Sequence, residues 1–235
     1  QPEAQVGAVL VGQRVDRHAF LGDFVGYGAD AAGVVDRVRD EVSRGALAVR
    51  GNHDDALERP AGYFNDQARA AIAWARESLD AGQRTFLAGL PLVVREGAMC
   101  FVHASADRPE RWTYVDGTAA AERCVAEARA VYTFCGHVHD QRLYFENAGG
   151  RFCPFVPTPG TPIPLSPRRR WLAIVGAVGQ PRDRRTAAGY AVFDDALWIL
   201  GGDLSAGHMQ PDVWRSADGV TWTEVSPRTP WGKPA

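Results

Sequence analysis

The chain has 235 residues, of which 46% are hydrophobic and 23% are charged, and its formal net charge is −2. This composition excludes an intrinsically disordered chain, and no apolar run approaches the roughly 20 residues that a membrane span needs. The near-neutral charge makes nucleic acid an unfavoured partner, although Arg168, Arg169 and Arg170 form a local basic cluster.

The first half of the chain alternates short apolar runs with helical patterns. Residues 18–22 and 47–50 read as buried strands, and valines at helical spacing predict a helix between them that ends at Gly45. The alanine-rich stretch 66–79 predicts a second helix. Strand, helix, strand and helix in this order predict an α/β core with parallel strands.

The second half is richer in predicted strands. Residues 92–95 and 99–102 predict a hairpin around Glu96-Gly97, and 117–130 predicts a further helix. Six prolines between 154 and 167 predict an extended loop. Further apolar runs are expected to be strands of two mixed sheets with helices outside them: 131–135, 143–145, 152–156, 171–175 and 190–193.

The cysteines and the start of the chain bear on its cellular context. There is no Cys-x-x-Cys pair, and three of the four cysteines stand in apolar runs, where a free cysteine behaves as a small buried hydrophobe. We interpret Cys100, Cys124, Cys135 and Cys153 as reduced residues of a cytoplasmic protein. The first residues carry neither an initiator methionine nor a signal-peptide layout, which suggests a chain that begins partway into a longer protein.

Residues 196–235 differ from the rest and hold four of the seven tryptophans. The strands expected at 197–202, 212–215 and 221–225 resemble one blade of a kelch-type propeller. A propeller needs about four or more blades, and no second copy of the pattern is present. We predict a short β extension docked on a domain that spans residues 1–195; an interaction module within a longer fusion is the alternative.

Four segments place metal-competent side chains directly after predicted strands, at the sheet edge where α/β proteins collect ligands. Their nitrogen and oxygen donors suit Mn, Fe, Co, Ni or Zn. Taken singly, Asp23 and Asn52 could be turn or cap residues and His103 a core histidine, whereas two histidines spaced His-x-His in a strand share one face. Together the four segments favour a metal site: Gly22-Asp23, Gly51-Asn52-His53-Asp54, His103 and Gly136-His137-Val138-His139.

These segments resemble the motifs of the calcineurin-like metallophosphoesterase superfamily. The matching stretches are Gly22-Asp-Phe-Val-Gly-Tyr-Gly28, Gly51-Asn-His-Asp54, Val102-His-Ala-Ser105 and Gly136-His-Val-His139. Phe64-Asn65 and Val178-Gly-Gln-Pro-Arg-Asp183 look like the bacterial diadenosine-tetraphosphatase-like or YfcE-like branch. The resemblance covers about residues 5–195. It implies a four-layer α/β/β/α sandwich with two divalent ions (Mn, Fe, Ni or Zn) that hydrolyses a phosphomonoester, phosphodiester or nucleotide through a metal-bound hydroxide.

The resemblance also implies roles for individual residues. Asp23 would bridge the two metal ions; Asn52, His103 and His137 would complete the second site, and His139 would serve the first. His53 would be the general acid for the leaving oxygen, or would stabilise charge on it. Arg182 could hold a phosphate oxygen, or it could be a solvated loop residue.

The sequence departs from the family pattern in two places. The family opens with an Asp-x-His motif after its first strand, but here Asp16 and His18 have that spacing without the helix that normally follows. We therefore expect a chain truncated downstream of that motif, with one metal ion held tightly, low activity, and a non-catalytic phosphate- or metal-binding descendant as the alternative. Gly26-Tyr27-Gly28 replaces the acidic residue and arginine of the protein-phosphatase branch, which argues against a serine/threonine protein phosphatase.

Overall fold

Two parallel strands with helices on one side form the first half of the described chain. In this computed structural model the described residues are 15–59, 62–184, 187–194, 196–200, 213–215 and 223–226. Strand β1 (Ala19–Phe20) pairs in parallel with β2 (Leu47–Ala48). The helices of this half are α1 (Ala31–Ser43), α2 (Asn52–Asp55), α3 (Asp66–Ser78) and α4 (Ala81–Gly89).

Side-chain caps and apolar faces explain these helices. Asp30 and Asn65 each accept a hydrogen bond from the third backbone N–H of the helix that follows, as good N-caps do. Val34, Val35 and Val38 turn one face of α1 into the core. Two predicted helices are confirmed to within about a turn at their ends: the valine-patterned helix that ends near Gly45 and the helix at 66–79. Helix α4 was not predicted from the sequence.

A six-stranded sheet with the order β3-β4-β5-β9-β6-β7 forms the centre of the second half. Its three adjacent strands β4, β5 and β9 are parallel, and the flanking pairs are antiparallel. Helix α5 (Thr118–Ala128) lies against this sheet through Cys124 and Val125. The strands are β3 (Val93–Glu96), β4 (Met99–Val102), β5 (Tyr132–Cys135), β6 (Arg142–Glu146), β7 (Phe152–Phe155) and β9 (Trp171–Ile174).

The layers follow from three hydrophobic clusters. One joins α1, α3 and α4 to the β1–β2 side, and another joins α5 to the large sheet. The third places Val49, just after β2, among Phe101 and Phe134 of the large sheet, so the two sheets face each other. The expected four-layer α/β/β/α arrangement is therefore confirmed.

The remaining strands correct one prediction. Strand β8 (Thr161–Ile163) lies inside the proline-rich segment that we expected to have no regular structure. It forms a three-stranded sheet, in the order β10-β11-β8, with β10 (Tyr190–Asp194) and β11 (Ala196–Leu200). Strand β8 is an edge strand of this sheet, and edges tolerate Pro162, which cannot donate a ladder hydrogen bond.

The predicted C-terminal extension is described only in part. Its first strand, β11, pairs with β10 and β8, and β12 (Val213–Arg215) pairs with β13 (Thr223–Ser226). The rest of the proposed kelch-like blade lies outside the described residues, and the boundary after residue 195 stays a prediction.

Two further sequence expectations can be compared with the structure. Cys100, Cys124 and Cys135 are buried, Cys153 is partly buried, and all four are free thiols. Among the described helices, none combines the length and apolar composition that crossing a membrane would require.

Candidate metal centre

Four loops bring the predicted site residues together at the carboxyl ends of β1, β2, β4 and β5. The two pairs of strands are each parallel, so their carboxyl ends lie at the same edge of each sheet. Because the sheets face each other, Asp23 and Asn52 from one sheet meet His103 and His137 from the other.

The centre of this cluster is the Nε2 atom of His103. It lies 3.0 Å from Asn52 Oδ1, 3.0 Å from His137 Nδ1 and 3.3 Å from Asp23 Oδ2. An octahedral ion with bonds of about 2.1 Å places neighbouring donor atoms about 3.0 Å apart. The spacing of these four atoms is therefore that of ligands around one transition-metal ion.

The hydrogen bond on the other side of the His103 ring decides what Nε2 can do. His103 Nδ1 lies 2.6 Å from the Leu21 carbonyl oxygen, which can only accept, so Nδ1 carries the proton. A neutral His103 therefore presents a lone pair at Nε2 towards Asn52 Oδ1 and Asp23 Oδ2, which also carry lone pairs, and His137 Nδ1 adds a further one when His137 carries its proton on Nε2. A cation is the group that satisfies such a set, and the donors present fit a divalent metal ion.

The charges within the cluster also favour a bound cation. Burial disfavours charge on Asp23 and His103, but their mutual attraction lowers the pKa of Asp23 and raises the pKa of His103. Burial and the nearby His103 lower the pKa of His137 to about 3, so its ring is neutral near pH 7 and able to ligate. A proton and a metal ion therefore compete for the same place on His103.

Asp54 holds the first two loops in position. Its Oδ2 accepts hydrogen bonds from the N–H groups of Asp23 and Gly51, at 2.9 and 2.8 Å, and its Oδ1 accepts one from Phe24 at 2.9 Å. Burial and the Asp23 carboxylate raise the pKa of Asp54 to about 7, and these N–H donors act in the opposite direction. Asp54 thus fixes both Asp23 and the start of α2, where Asn52 lies.

His53 lies beside the cluster with its ring in an aromatic pocket. Its backbone N–H donates to Asp23 Oδ1 at 3.0 Å, and its ring contacts Tyr27 and Phe64 at centroid distances of 4.8 and 4.9 Å. Its Nδ1 atom is buried and has no hydrogen-bond partner among the described residues. Burial is the main reason that the pKa of His53 is below its ordinary value.

The loop after β1 passes close to the ring of His53 and limits where that ring can lie. Gly26 has φ +123°, and a Cβ atom there would lie 2.1 Å from His53 Nδ1. Only glycine combines this backbone conformation with this contact. Gly26 therefore lets the chain pass directly over the imidazole of His53.

His139 and Arg182 lie at a second end of the site. His139 Nδ1 donates to the Gln180 carbonyl oxygen at 2.7 Å, and its own carbonyl accepts from the Arg182 N–H at 2.9 Å. Burial and the Arg182 charge lower the pKa of His139. The side chain of Arg182 is exposed. In the described part of the chain, the compact group of possible ligands contains Asp23, His103 and His137 but not His139.

The His-x-His segment lies in a loop directly after β5, as expected, so the shared face that a strand would give its two histidines does not apply. His137 and His139 follow β5 in a loop, and both have left-handed backbone angles, with φ +63° and +64°. Their rings consequently serve different ends of the site. Sequence reasoning also gave no role to Asp54, Gln180 or Tyr114; for Asp54 a signal existed, because it belongs to the same short motif as Asn52.

The fold and this cluster of nitrogen and oxygen donors define a metal-binding protein of the four-layer phosphoesterase class. The sequence model of the Calcineurin-like phosphoesterase superfamily domain matches residues 2–195, and the chain belongs to this superfamily.

Three similar proteins can be compared with this chain. An uncharacterized protein of Methanocaldococcus jannaschii is 31% identical over 181 residues, which cover 74% of this chain and 70% of that protein. The crystal structure of a metallophosphoesterase from Sphaerobacter thermophilus has 32% identity and a TM-score of 0.72, covering 84% of this chain and 82% of that one. A hypothetical protein from Pyrococcus horikoshii OT3 shares the fold, with 16% identity and a TM-score of 0.60 over 86% and 81% of the two chains.

Proposed function

We propose that this protein hydrolyses phosphoesters with a divalent metal ion held by Asp23, Asn52, His103 and His137. The observation that carries the proposal is the convergence of three donor atoms on His103 Nε2 within 3.0–3.3 Å. Membership of a phosphoesterase superfamily supports the reaction class. When bound, the ion would supply Lewis-acid chemistry, lowering the pKa of water and neutralising charge on a phosphoryl oxygen.

The side chains around the ion would perform the remaining tasks. Asp23 stays ionised because its pKa is lowered, and Asp54 keeps it in place. His53 would stabilise the leaving oxygen by donating an N–H hydrogen bond, which a neutral imidazole can do. A phosphate close to His53 would raise its pKa and favour full proton transfer. Arg182 would bind a phosphate oxygen from the open side of the site.

We propose that a second metal ion, where present, is held only weakly. Among the described residues, Asp23 and His139 could contribute to it, and two protein ligands are fewer than the three typical of a tight catalytic site. We propose Mn, Fe, Ni or Zn as the ion, because these metals accept mixed nitrogen and oxygen donors.

We also propose a reducing compartment such as the cytoplasm, which the four free cysteines support.

Metal-dependent turnover is the test of this function. Protein stripped with a chelator and then loaded with Mn, Ni or Zn is assayed against p-nitrophenyl phosphate, bis-p-nitrophenyl phosphate, nucleotides and sugar phosphates. His103→Ala, prepared in parallel, controls for contaminating phosphatases. We expect metal-dependent hydrolysis by the unaltered protein and none by the variant; equal activity of both would contradict the proposal.

A non-catalytic phosphate- or metal-binding role is the second candidate. It is favoured by the compact ligand group, since the described residues assemble one such group rather than two. Tight binding of one metal ion without turnover of any phosphoester in the panel would support this role instead.

A further inference from the structure

Three exposed tyrosines surround the candidate metal centre. In the part of the chain that the structure describes, six large hydrophobic side chains are exposed, and three of them gather here. Tyr27, Tyr63 and Tyr114 are 36%, 60% and 46% exposed. They come from three separate loops, so sequence proximity does not explain their grouping. Grouped exposed aromatic side chains mark binding surfaces more often than chance.

Each tyrosine packs on an inner ring and leaves part of itself open to solvent. Tyr114 stacks on His137 with a centroid distance of 4.1 Å and an interplanar angle of 26°. Tyr27 lies 4.8 Å from the ring of His53, and Tyr63 lies 4.5 Å from the ring of Phe64. Phe64 in turn contacts His53. The three tyrosines therefore continue an aromatic wall that begins at the proposed metal ligand His137 and the proposed acid His53.

Tyr63 and Tyr114 reach the candidate metal centre from two different segments of the chain. Tyr63 belongs to the loop between α2 and α3, whereas Tyr114 belongs to the segment between β4 and α5. Tyr63 interacts with the side chain of Asn52, and Tyr114 stacks on His137, so each lies beside a proposed metal ligand. Both tyrosines therefore present exposed aromatic surface beside the proposed metal ligands.

The positive charge beside the tyrosines also indicates which kind of ligand this site would bind. Arg182 donates its backbone N–H to the His139 carbonyl oxygen at 2.9 Å, and its charge lowers the pKa of both His53 and His139, so a cation lies near the metal end of the aromatic wall. A cationic and metal-binding floor suits a phosphoryl group, and flat aromatic walls suit a planar ring by stacking. One molecule that satisfies both is a phosphoester that carries an aromatic ring.

We propose, on the basis of the function proposed above, that the substrate is an aryl or heteroaryl phosphoester whose ring stacks on the exposed face of Tyr114. A phenyl group and a nucleobase share this stacking chemistry. The polar edge of a nucleobase would add hydrogen bonds that a phenyl group lacks, and the experiment separates the two.

Binding of matched ligand pairs tests the inference without relying on turnover. Phenylphosphonate and cyclohexylphosphonate carry the same charge and similar volume, and only the first has a planar aromatic ring. Adenosine 5′-monophosphate and ribose 5-phosphate form the corresponding nucleotide pair. Calorimetric titration of metal-loaded protein should show tighter binding of the aromatic member in at least one pair, by about 5- to 150-fold, the range of a single stacking contact.

Variants identify the stacking surface. Tyr114→Leu should remove the preference for the aromatic ligand while leaving the affinity for the cyclohexyl ligand unchanged, whereas Tyr114→Phe should retain the preference. Phe155→Ala is the matched control, because Phe155 is 44% exposed on the edge strand β7. Metal content is measured in each variant, since Tyr114 contacts His137. A Tyr114→Leu protein that keeps its metal and its aromatic preference would overturn the inference.

The two proposals fail in different ways. Equal affinities within both ligand pairs, together with metal-dependent hydrolysis of aliphatic phosphoesters, would overturn the aromatic substrate and leave the phosphoesterase intact. Aromatic preference in binding, without hydrolysis of any phosphoester, would overturn the phosphoesterase and retain the aromatic binding site. Preference for phenyl over adenosine would identify simple aryl esters as the substrate class, and the reverse would identify nucleotides.

Discussion

The two ends of the candidate site differ in how completely the described residues build them. At the His103 end, three donor atoms lie within 3.3 Å of a fourth, His103 Nε2, and Asp54 holds the loops of Asp23 and Asn52 in position. At the other end, His139 is oriented by the Gln180 carbonyl but stands apart from that group.

This difference indicates which part of the chemistry is preorganised. The His103 end needs little rearrangement to accept an ion, because its ligands are buried, oriented and close to ligand spacing. The His139 end has one oriented imidazole, which suits a weakly held second ion, and an exposed arginine, which suits a phosphate group that arrives with the substrate. Mutations at the two ends should therefore have unequal consequences.

Removing His103 should have the largest effect. His103→Ala takes away the atom on which the other ligands converge and leaves Asp23 without its main counter-charge. We expect loss of the bound metal ion and of phosphoester hydrolysis to background. Elemental analysis after dialysis, alongside circular dichroism to establish folding, measures this; a folded variant with normal metal content would contradict the account of this end.

Removing the proposed acid should lower turnover without releasing the metal. His53→Asn should reduce kcat by roughly 10²–10⁴-fold, the usual contribution of general acid–base catalysis. Metal content should be unchanged, because the contact to Asp23 comes from the His53 backbone N–H. If metal is lost to the same extent as in Asn52→Ala, His53 is a ligand and its proposed role is wrong.

Displacing the ring of His53 indirectly should have a smaller effect on turnover. Gly26→Ala forces a Cβ atom against His53, whereas Gly45, with φ +103°, has open space around it. Both substitutions cost about 1–2 kcal/mol of backbone strain, so both should lower the free energy of unfolding.

Activity assays separate the two effects. We expect turnover to fall by about 10- to 100-fold in Gly26→Ala, the loss seen when supporting contacts are disturbed, and to stay unchanged in Gly45→Ala. Equal losses of activity in the two variants would mean that backbone strain, and not the position of His53, controls turnover.

Removing His139 should have the smallest effect on the tightly held ion. His139→Ala should change metal affinity at the His103 end by less than about tenfold, the lower limit for residues that support a ligand set. Isothermal titration with Mn, with Asn52→Ala as the matched comparison, provides the measurement. A loss of affinity as great as that of Asn52→Ala would show that the two ends form a single ligand set.

The residues of the candidate cluster were predicted from the sequence, whereas the residue that holds them in position was not. Asp23, Asn52, His103 and His137 could be found because each follows an apolar run that becomes a strand, and sheet topology then brings the strand ends together. Asp54 supports the cluster through bonds to backbone N–H groups, and such bonds leave no residue pattern in the partner loop.

The elements that sequence reasoning missed have identifiable physical causes. Helix α4 is only nine residues long and contains two glycines, although Asp80 and Gln83 form a capping box that signals its start. Strand β8 was missed because Pro162 argues against a strand, yet at a sheet edge the missing N–H has no neighbour to bond. The left-handed backbone angles at His137 and His139 depend on the conformation of the loop after β5, which the residue pattern does not reveal.

The central claim is that one divalent ion is bound by the atoms around His103 Nε2, and anomalous diffraction tests it most directly. Crystals grown with Mn²⁺ should show a single strong anomalous peak about 2.0–2.3 Å from Asp23 Oδ2, Asn52 Oδ1, His103 Nε2 and His137 Nδ1. A strong peak bound by other residues, or none at these four atoms in crystals that retain Mn²⁺, would contradict the account.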